Sequence, residues 1–213
     1  MMQLTNNSQD YTFTNESLSA TTHAIGLGMA LIGTLALAFR AGANPLRQAT
    51  FIGFGAALIL LYAASTAYHS LYFTKIRHIL QVLDHSGVFI LIAGSYLPYC
   101  LVAIGGKLGI GLLIGIWALC LAGIGYKCFF IGKWKIVETS IYVILGWLCL
   151  IGIRPLWQHL GPAGFWLLVG GGVAYTLGAV LYSQKHIPYI HVIWHLFVML
   201  GSACMYASIY LFV

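Results

Sequence analysis

Charge is scarce in this 213-residue chain: Asp, Glu, Lys and Arg make up 7% of it, against 61% hydrophobic residues. A soluble domain carries about 25% charged residues. So little polar surface cannot keep a globule of this size in water, and the chain reads as a polytopic membrane protein. Pairable cysteine is missing too. Cys100, Cys120, Cys128, Cys149 and Cys204 are odd in number, contain no CxxC and lie in or beside apolar runs. That spacing excludes a disulfide framework or a thiolate zinc knuckle and leaves buried, inert thiols. The first 17 residues hold no Lys or Arg. The apolar run after them outlasts a signal-peptide core, so no cleaved signal is expected. Ten Lys and Arg against four acids give a formal charge of +6. Since no basic run with interleaved aromatics stands outside the apolar segments, nucleic acid is not expected as a partner. The basic residues lie between apolar runs, where they set topology and meet anionic headgroups.

What the chain does have is length in its apolar runs. A membrane span needs about 20 apolar residues. Seven candidates occur, at about residues 19–39, 49–71, 81–104, 108–130, 136–153, 165–182 and 189–212. The runs are too long and too unalternating for a barrel, and backbone groups in hydrocarbon must be satisfied internally, so the spans are helices. The expected fold is an all-α, seven-transmembrane-helix bundle forming one membrane domain over 1–213. Residues 154–164 make the longest connection, Pro188 opens the last span, and Gly170-Gly171-Gly172 makes the sixth irregular. Small residues at four-residue spacing, such as Gly111 and Gly115, let helix backbones approach closely.

The connections also carry a charge bias. With seven spans, the N-terminal tail shares a side with Lys75, Arg77, Lys127, Lys133, Lys135 and Lys185. The other side holds Arg40, Arg47, Lys107 and Arg154. Positive-inside then places the N-terminus in the cytoplasm and the C-terminus outside.

Four residues that hydrocarbon rejects sit at span ends on that cytoplasmic side. His69 closes the second span, Asp84 opens the third, and His191 and His195 lie in the first turns of the seventh. Their shared side does not depend on how the whole bundle is inserted. His191 and His195, four residues apart, project from one helix face. Three imidazoles around Zn²⁺ leave a fourth tetrahedral position for water, the arrangement of a catalytic site. Three neutral His leave the ion's double charge uncompensated; one hydroxide plus the Asp84 carboxylate brings the sum to zero. Water in such sites falls to a pKa of about 7, and a carboxylate can take its proton. Ser65, four residues before His69, can orient the ring or a substrate carbonyl. A carboxylate inside a span costs about 2.5–3.5 kcal/mol on insertion scales, which makes Asp84 the stronger anomaly.

The other polar residues sort by position. His159 belongs to the opposite face, about 30 Å away across a 20-residue span. His78 and His186 lie in short basic connections, suited to headgroup contact. His85 follows Asp84 and points about 100° away from it on a helix. Glu16 and His23, two turns apart near the start of the first span, can pair, cap the helix or form an outer shell; they receive no metal role. Glu138 balances the charge of Lys133 and Lys135.

At these residues the chain resembles the hemolysin III family, the bacterial branch of the progestin and adipoQ receptor group. Glu16, Thr22-His23 and Gly26 fit the family's first-span motif, with Ser19 where Asn is usual. Ser65-Thr66-Ala67-Tyr68-His69 is similar to its second-span signature. Asp84-His85 with Ala93-Gly94-Ser95-Tyr96-Leu97-Pro98 resembles the third, and His191-Val192-Ile193-Trp194-His195 with Gly201-Ser202 the last. The resemblance implies seven helices and a zinc ion near the cytoplasmic face, with His69, His191 and His195 as ligands and Asp84 and Ser65 beside the bound water. Met205 stands where bacterial relatives often have His. The wider superfamily of CREST-type membrane hydrolases includes alkaline ceramidases, while the bacterial branch is named for an attributed cytolytic, channel-forming activity.

These readings lead to a zinc-dependent hydrolase of the cell membrane that acts on a lipid amide or ester, its membrane-lipid substrate entering laterally. The alternatives are a channel-forming, cytolytic protein and a membrane-lipid regulator or receptor with structural zinc. A monomeric aqueous channel needs polar residues at successive depths, whereas here they cluster at one face. Retinal chemistry is excluded because the last span holds no Lys for a Schiff base.

Overall fold

The structure, a computed structural model, describes residues 2–130, 135–184 and 186–213, with side chains from residue 10 onward except at 135, 136 and 138. Among the described residues the secondary structure is helical: α1 (Met2–Ala41), α2 (Pro45–Ser70), α3 (Arg77–Pro98), α4 (Gly106–Phe130), α5 (Lys135–Trp147), α6 (Ile153–Tyr182) and α7 (Ile190–Phe212). A π-helical segment, Tyr99–Ile104, continues α3 beyond Pro98, and a 3₁₀ segment, Leu148–Gly152, joins α5 to α6.

Six segments are long and apolar enough to cross a membrane: Asp10–Ala41, Pro45–Ser70, Arg77–Ile104, Gly106–Phe130, Thr139–Tyr182 and Ile190–Phe212. Seven separate segments of that kind, the sequence expectation, are not found. The difference lies in the 44-residue stretch Thr139–Tyr182. The connection expected over 154–164 is largely helical, with one break at Gly161 (φ 62°, ψ −179°) followed by Pro162. Arg154-Pro155 look like loop residues in sequence. Yet Pro155 falls in the first turn of α6, where its missing N–H has no helical partner to lose, and Gly161 alone absorbs the positive φ. Nor does the Gly170–Gly172 run break α6.

Helix ends show which parts of the bundle meet. Asn44 accepts hydrogen bonds from the N–H groups of Leu46 and Arg47 at 3.0 and 3.1 Å, and Pro45 follows it at the first helical position of α2. This is a side-chain cap over otherwise orphaned donors. Arg40 Nε donates to the carbonyl of Tyr210 at 3.0 Å, and Arg47 Nη2 to that of Val213 at 2.5 Å. Two cations thus sit on the last carbonyls of α7, where the helix dipole favours them. Those bonds tie the α1–α2 turn to the C-terminal end of α7, so the early turns of α1 run beside its start. There the Tyr189 N–H donates to the Tyr11 hydroxyl at 2.9 Å. Tyr189 holds a left-handed φ of 54° just before α7, a conformation that costs a bulky residue about 1–3 kcal/mol and needs such support.

The core is built mainly on α2, whose Phe51, Phe54, Leu58 and Leu61 pack with Leu37 of α1, Leu156 and Leu160 of α6 and Ile209 of α7. Close backbone approach occurs between α6 and α7, where a Cβ on Gly171 would lie 3.1 Å from the Gly201 carbonyl. Gly111 and Gly115, expected to serve helix packing, have open space around them instead. Lys127, counted above with the connection charges, lies inside α4 and is fully buried. Lys133, Lys185 and the side chains of Lys135 and Glu138, used in the charge count and the expected charge balance, lie outside the described residues.

Candidate metal centre

Core periodicity carries three imidazoles inward. Along α2 the buried positions Phe54, Leu58, Leu61, Ser65 and His69 follow one another at helical three- and four-residue steps. His69 is therefore the last member of the stripe that packs the core, not a residue facing lipid. Along α7 the buried stripe runs His195, Val198, Ser202, Met205 and Ile209, with the partly buried His191 one turn before it. On α1 the matching stripe is Glu16, Ser19, His23 and Ala30.

These stripes meet at the end where α2 stops and α7 starts. One ring nitrogen each from His69, His191 and His195 lies within 4.8 Å of the others, the arrangement of a metal-binding group. His69 Nε2 and His191 Nε2 are 3.0 Å apart. Tetrahedral coordination with bonds of about 2.0–2.1 Å separates ligand nitrogens by about 3.3 Å. A single cation between the rings is thus compatible with this spacing after a modest adjustment.

The groups behind the rings set their tautomers. His69 Nδ1 lies 2.7 Å from Glu16 Oε2. A carboxylate only accepts, so Nδ1 carries the proton and Nε2 presents its lone pair. His195 Nδ1 lies 3.2 Å from the Ser19 carbonyl and 3.2 Å from Thr22 Oγ1, while Thr22 donates to that same carbonyl at 2.9 Å. A carbonyl also only accepts, so His195 is likewise protonated on Nδ1 with a bare Nε2. Carboxylate or carbonyl behind a ring is the usual outer arrangement of metal-bound histidine. Glu16, for which an outer shell is one of the places the sequence leaves open, stands there behind His69.

Among the described residues, several buried polar atoms around the rings meet no hydrogen-bond partner: Ser19 Oγ, Ser65 Oγ and both ring nitrogens of His23. Leaving such a group unsatisfied costs about 1–3 kcal/mol. Their gathering beside convergent imidazole lone pairs fits a centre completed by an ion and its oxygen ligands. The donor set, neutral nitrogens with carboxylates close by, suits a divalent late first-row metal.

A cavity of about 140 Å³ begins at this cluster. His23, Asp84, His191 and His195 border one end, and Tyr99, Cys149 and Met205 lie at the other. From His191 to Met205 the wall follows α7 for about 20 Å, at 1.5 Å per residue. Between the ends it is mostly apolar, with Leu61, Val88, Leu91, Ile92, Leu168 and Val198 among the lining residues. Asp84 is buried at the cavity edge, within electrostatic reach of His69, Lys127 and Glu16 and beside Ser65. It stands outside the three-imidazole group.

A second polar cluster adjoins the first. Lys127 Nζ donates to His85 Nδ1 at 3.1 Å, and the Tyr142 hydroxyl donates to the His85 carbonyl at 3.4 Å. His85 borders the cavity but does not join the three imidazoles, which agrees with its expected direction. His78, His159 and His186 are exposed. Met205 lies at the far end of the cavity, remote from the ring cluster.

Comparison with known proteins assigns the family. The family model described as "Haemolysin-III related" matches residues 11–206. The chain belongs to the haemolysin-III family. A hemolysin-3 homolog of Bacillus subtilis (strain 168) is 40% identical over 199 residues, covering 92% of this chain and 93% of that protein. Hemolysin-3 of Bacillus cereus is 38% identical over 200 residues, with 93% and 91% covered. The human monocyte to macrophage differentiation factor is more distant, at 29% over 195 residues, with 89% and 80% covered. With six apolar segments long enough to cross a bilayer, this haemolysin-III family member is a multi-pass protein of the cell membrane.

The sequence leaves two partners in the site unassigned. Glu16 is detectable in principle, being a carboxylate on the same core stripe as His23. The burial of Lys127 is not, because a Lys near a helix end normally extends to the interface.

Proposed function

We propose that this protein is a membrane-embedded, zinc-dependent hydrolase acting on a lipid amide or ester. The observation carrying this reading is the convergence of His69, His191 and His195 beside Asp84 at the polar end of a long apolar cavity. In this reading the three imidazoles would hold Zn²⁺, which would supply Lewis acidity for the carbonyl and for water. Asp84 takes the proton of the attacking water and returns it to the leaving nitrogen or oxygen. Ser65 Oγ, buried beside Asp84, orients that water or the carbonyl. Glu16 and the Ser19 carbonyl keep His69 and His195 in the tautomers that face the centre. The apolar walls take the acyl chain, which enters laterally from the bilayer, and hold the scissile bond at the histidine end.

The same reading has seven crossings with the N-terminus in the cytoplasm. In this reading the chain turns back at the Gly161 break, which leaves residues 139–160 and 162–182, each about the 20 residues that one crossing needs. The deciding experiment combines metal analysis with lipid-product profiling of wild type and Asp84→Asn. Zinc in both proteins with products only from wild type supports the hydrolase. Zinc without any product from wild type points to a regulator with structural metal. A pore-forming reading follows the name of the Bacillus cereus relative. It gains if liposomes leak equally with wild type, with Asp84→Asn and after chelation.

A further inference from the structure

His23 is the buried polar residue of the centre that the proposed function leaves unused. It is 3% exposed, it borders the cavity, and among the described residues neither ring nitrogen has a hydrogen-bond partner. It stacks face to face on His195, with ring centroids 3.5 Å apart and planes inclined by 12°. Tyr62 meets it edge-on at 5.1 Å, a contact with the ring that leaves the nitrogens unsatisfied.

The stacking defines what His23 can do. An imidazole binds a metal through a lone pair in its own plane, so an ion on His195 Nε2 lies close to the His195 plane. The His23 ring runs nearly parallel to that plane at about a stacking distance. A ligand bond of about 2.0–2.1 Å is therefore out of its reach. An oxygen attached to the ion and displaced toward His23 lies instead at hydrogen-bonding range from an imidazole nitrogen.

We infer that His23 hydrogen-bonds the oxygen ligand, a water or an acyl carbonyl or carboxylate oxygen, that fills the position left open by His69, His191 and His195. This rests on the metal-centre reading above and deepens it. His23 thereby becomes a ligand-recognition residue that contacts what the metal binds, rather than a fourth protein ligand. The chemistry it selects is an oxygen donor able to share a hydrogen bond, which favours hydroxamate, carboxylate and amide carbonyl over a thioether or an alkyl group.

The full-length protein in detergent, loaded with Co²⁺, provides a test that needs no turnover. The metal's visible absorption bands report its coordination, and titration with acetohydroxamate reports the affinity of the oxygen position. Wild type is expected to bind one Co²⁺ per chain and to shift its bands with hydroxamate. His23→Ala is expected to keep the Co²⁺ and to bind hydroxamate about tenfold more weakly, the share of one hydrogen bond. His23→Gln, which restores a polar group, is expected to recover part of that loss. Unchanged hydroxamate affinity in His23→Ala overturns the inference, and so does loss of Co²⁺ from both variants, since His23 is then a ligand or a prop for His195. Failure of wild type itself to bind Co²⁺ is a different result: it removes the metal centre, and this inference with it.

Discussion

Two clusters of buried polar groups border the same cavity, and they balance charge in different ways. In one, His85 of α3 accepts a hydrogen bond from the Lys127 ammonium of α4 at 3.1 Å, while Tyr142 of α5 donates to its carbonyl. The protein supplies that cation itself. In the other, Glu16 and the Ser19 carbonyl occupy the Nδ1 atoms of His69 and His195, turning bare Nε2 lone pairs toward His191. Around those rings, serine and histidine atoms have no hydrogen-bond partner among the described residues. Imidazole lone pairs 3.0 Å apart repel unless a proton or a metal ion lies between them. The contrast suggests that the first cluster is structural and the second a receiving site.

Removing a ring from the second cluster is the sharpest way to break this comparison. His195→Ala or His69→Ala is expected to drop bound zinc from about one per chain to near none, because two imidazoles rarely hold the ion alone. His85→Ala is expected to leave the metal in place. Metal analysis of purified protein measures both, and equal loss would erase the distinction. Next in size, Asp84→Asn is expected to keep zinc while lowering lipid hydrolysis about 10²–10⁴-fold, the usual contribution of a positioned acid–base group. Glu16→Gln keeps the shape but weakens the hold on His69. A fall of about 10–100-fold in zinc affinity is expected by chelator competition, as for other carboxylates behind metal-bound histidine.

Lys127→Met tests the structural cluster. The substitution keeps much of the volume and leaves His85 Nδ1 without its donor, at a cost of about 1–3 kcal/mol. A lower unfolding temperature with full zinc occupancy is expected. Zinc loss at an unchanged unfolding temperature would show that the two clusters are one system.

How far the sequence reached follows from the kind of signal each feature leaves. The long uncharged runs announced a helical membrane protein because hydrocarbon tolerates little else. His69, Asp84, His191 and His195 are visible in the sequence as polar residues at span ends, and counting ends puts them on one face. The tautomer-setting contacts were not legible, since they depend on rotation of α1 against α2 and α7, which hydropathy does not encode. Residues 154–164 misled for a related reason. Pro155 and Gly161 mark chain breaks by type, whereas Pro155 falls in a helix's first turn and Gly161 alone breaks the backbone, joining two helices across a kink. Lys127 was misplaced because side-chain burial at a span end is decided by what α3 and α5 offer it.

The smallest effect separates two kinds of glycine that sequence treats alike. Gly111 and Gly115 sit at the spacing of a helix-packing motif on α4, yet a Cβ at either would meet nothing within 4 Å. Gly171 lies in a run that looks like a helix breaker, yet a Cβ there would press on Met205 Cγ at 3.0 Å and the Gly201 carbonyl at 3.1 Å. Replacing a helical glycine by alanine gains about 0.5–1 kcal/mol where space allows, through lost chain entropy in the unfolded state. Gly111→Ala and Gly115→Ala should therefore leave thermal stability in detergent unchanged or slightly raised. Gly171→Ala should lower it, because the carbonyl of α7 cannot move aside as a flexible side chain can. A drop for Gly115→Ala instead would mean that α4 meets a second chain in the membrane, at a face that is open in the isolated bundle.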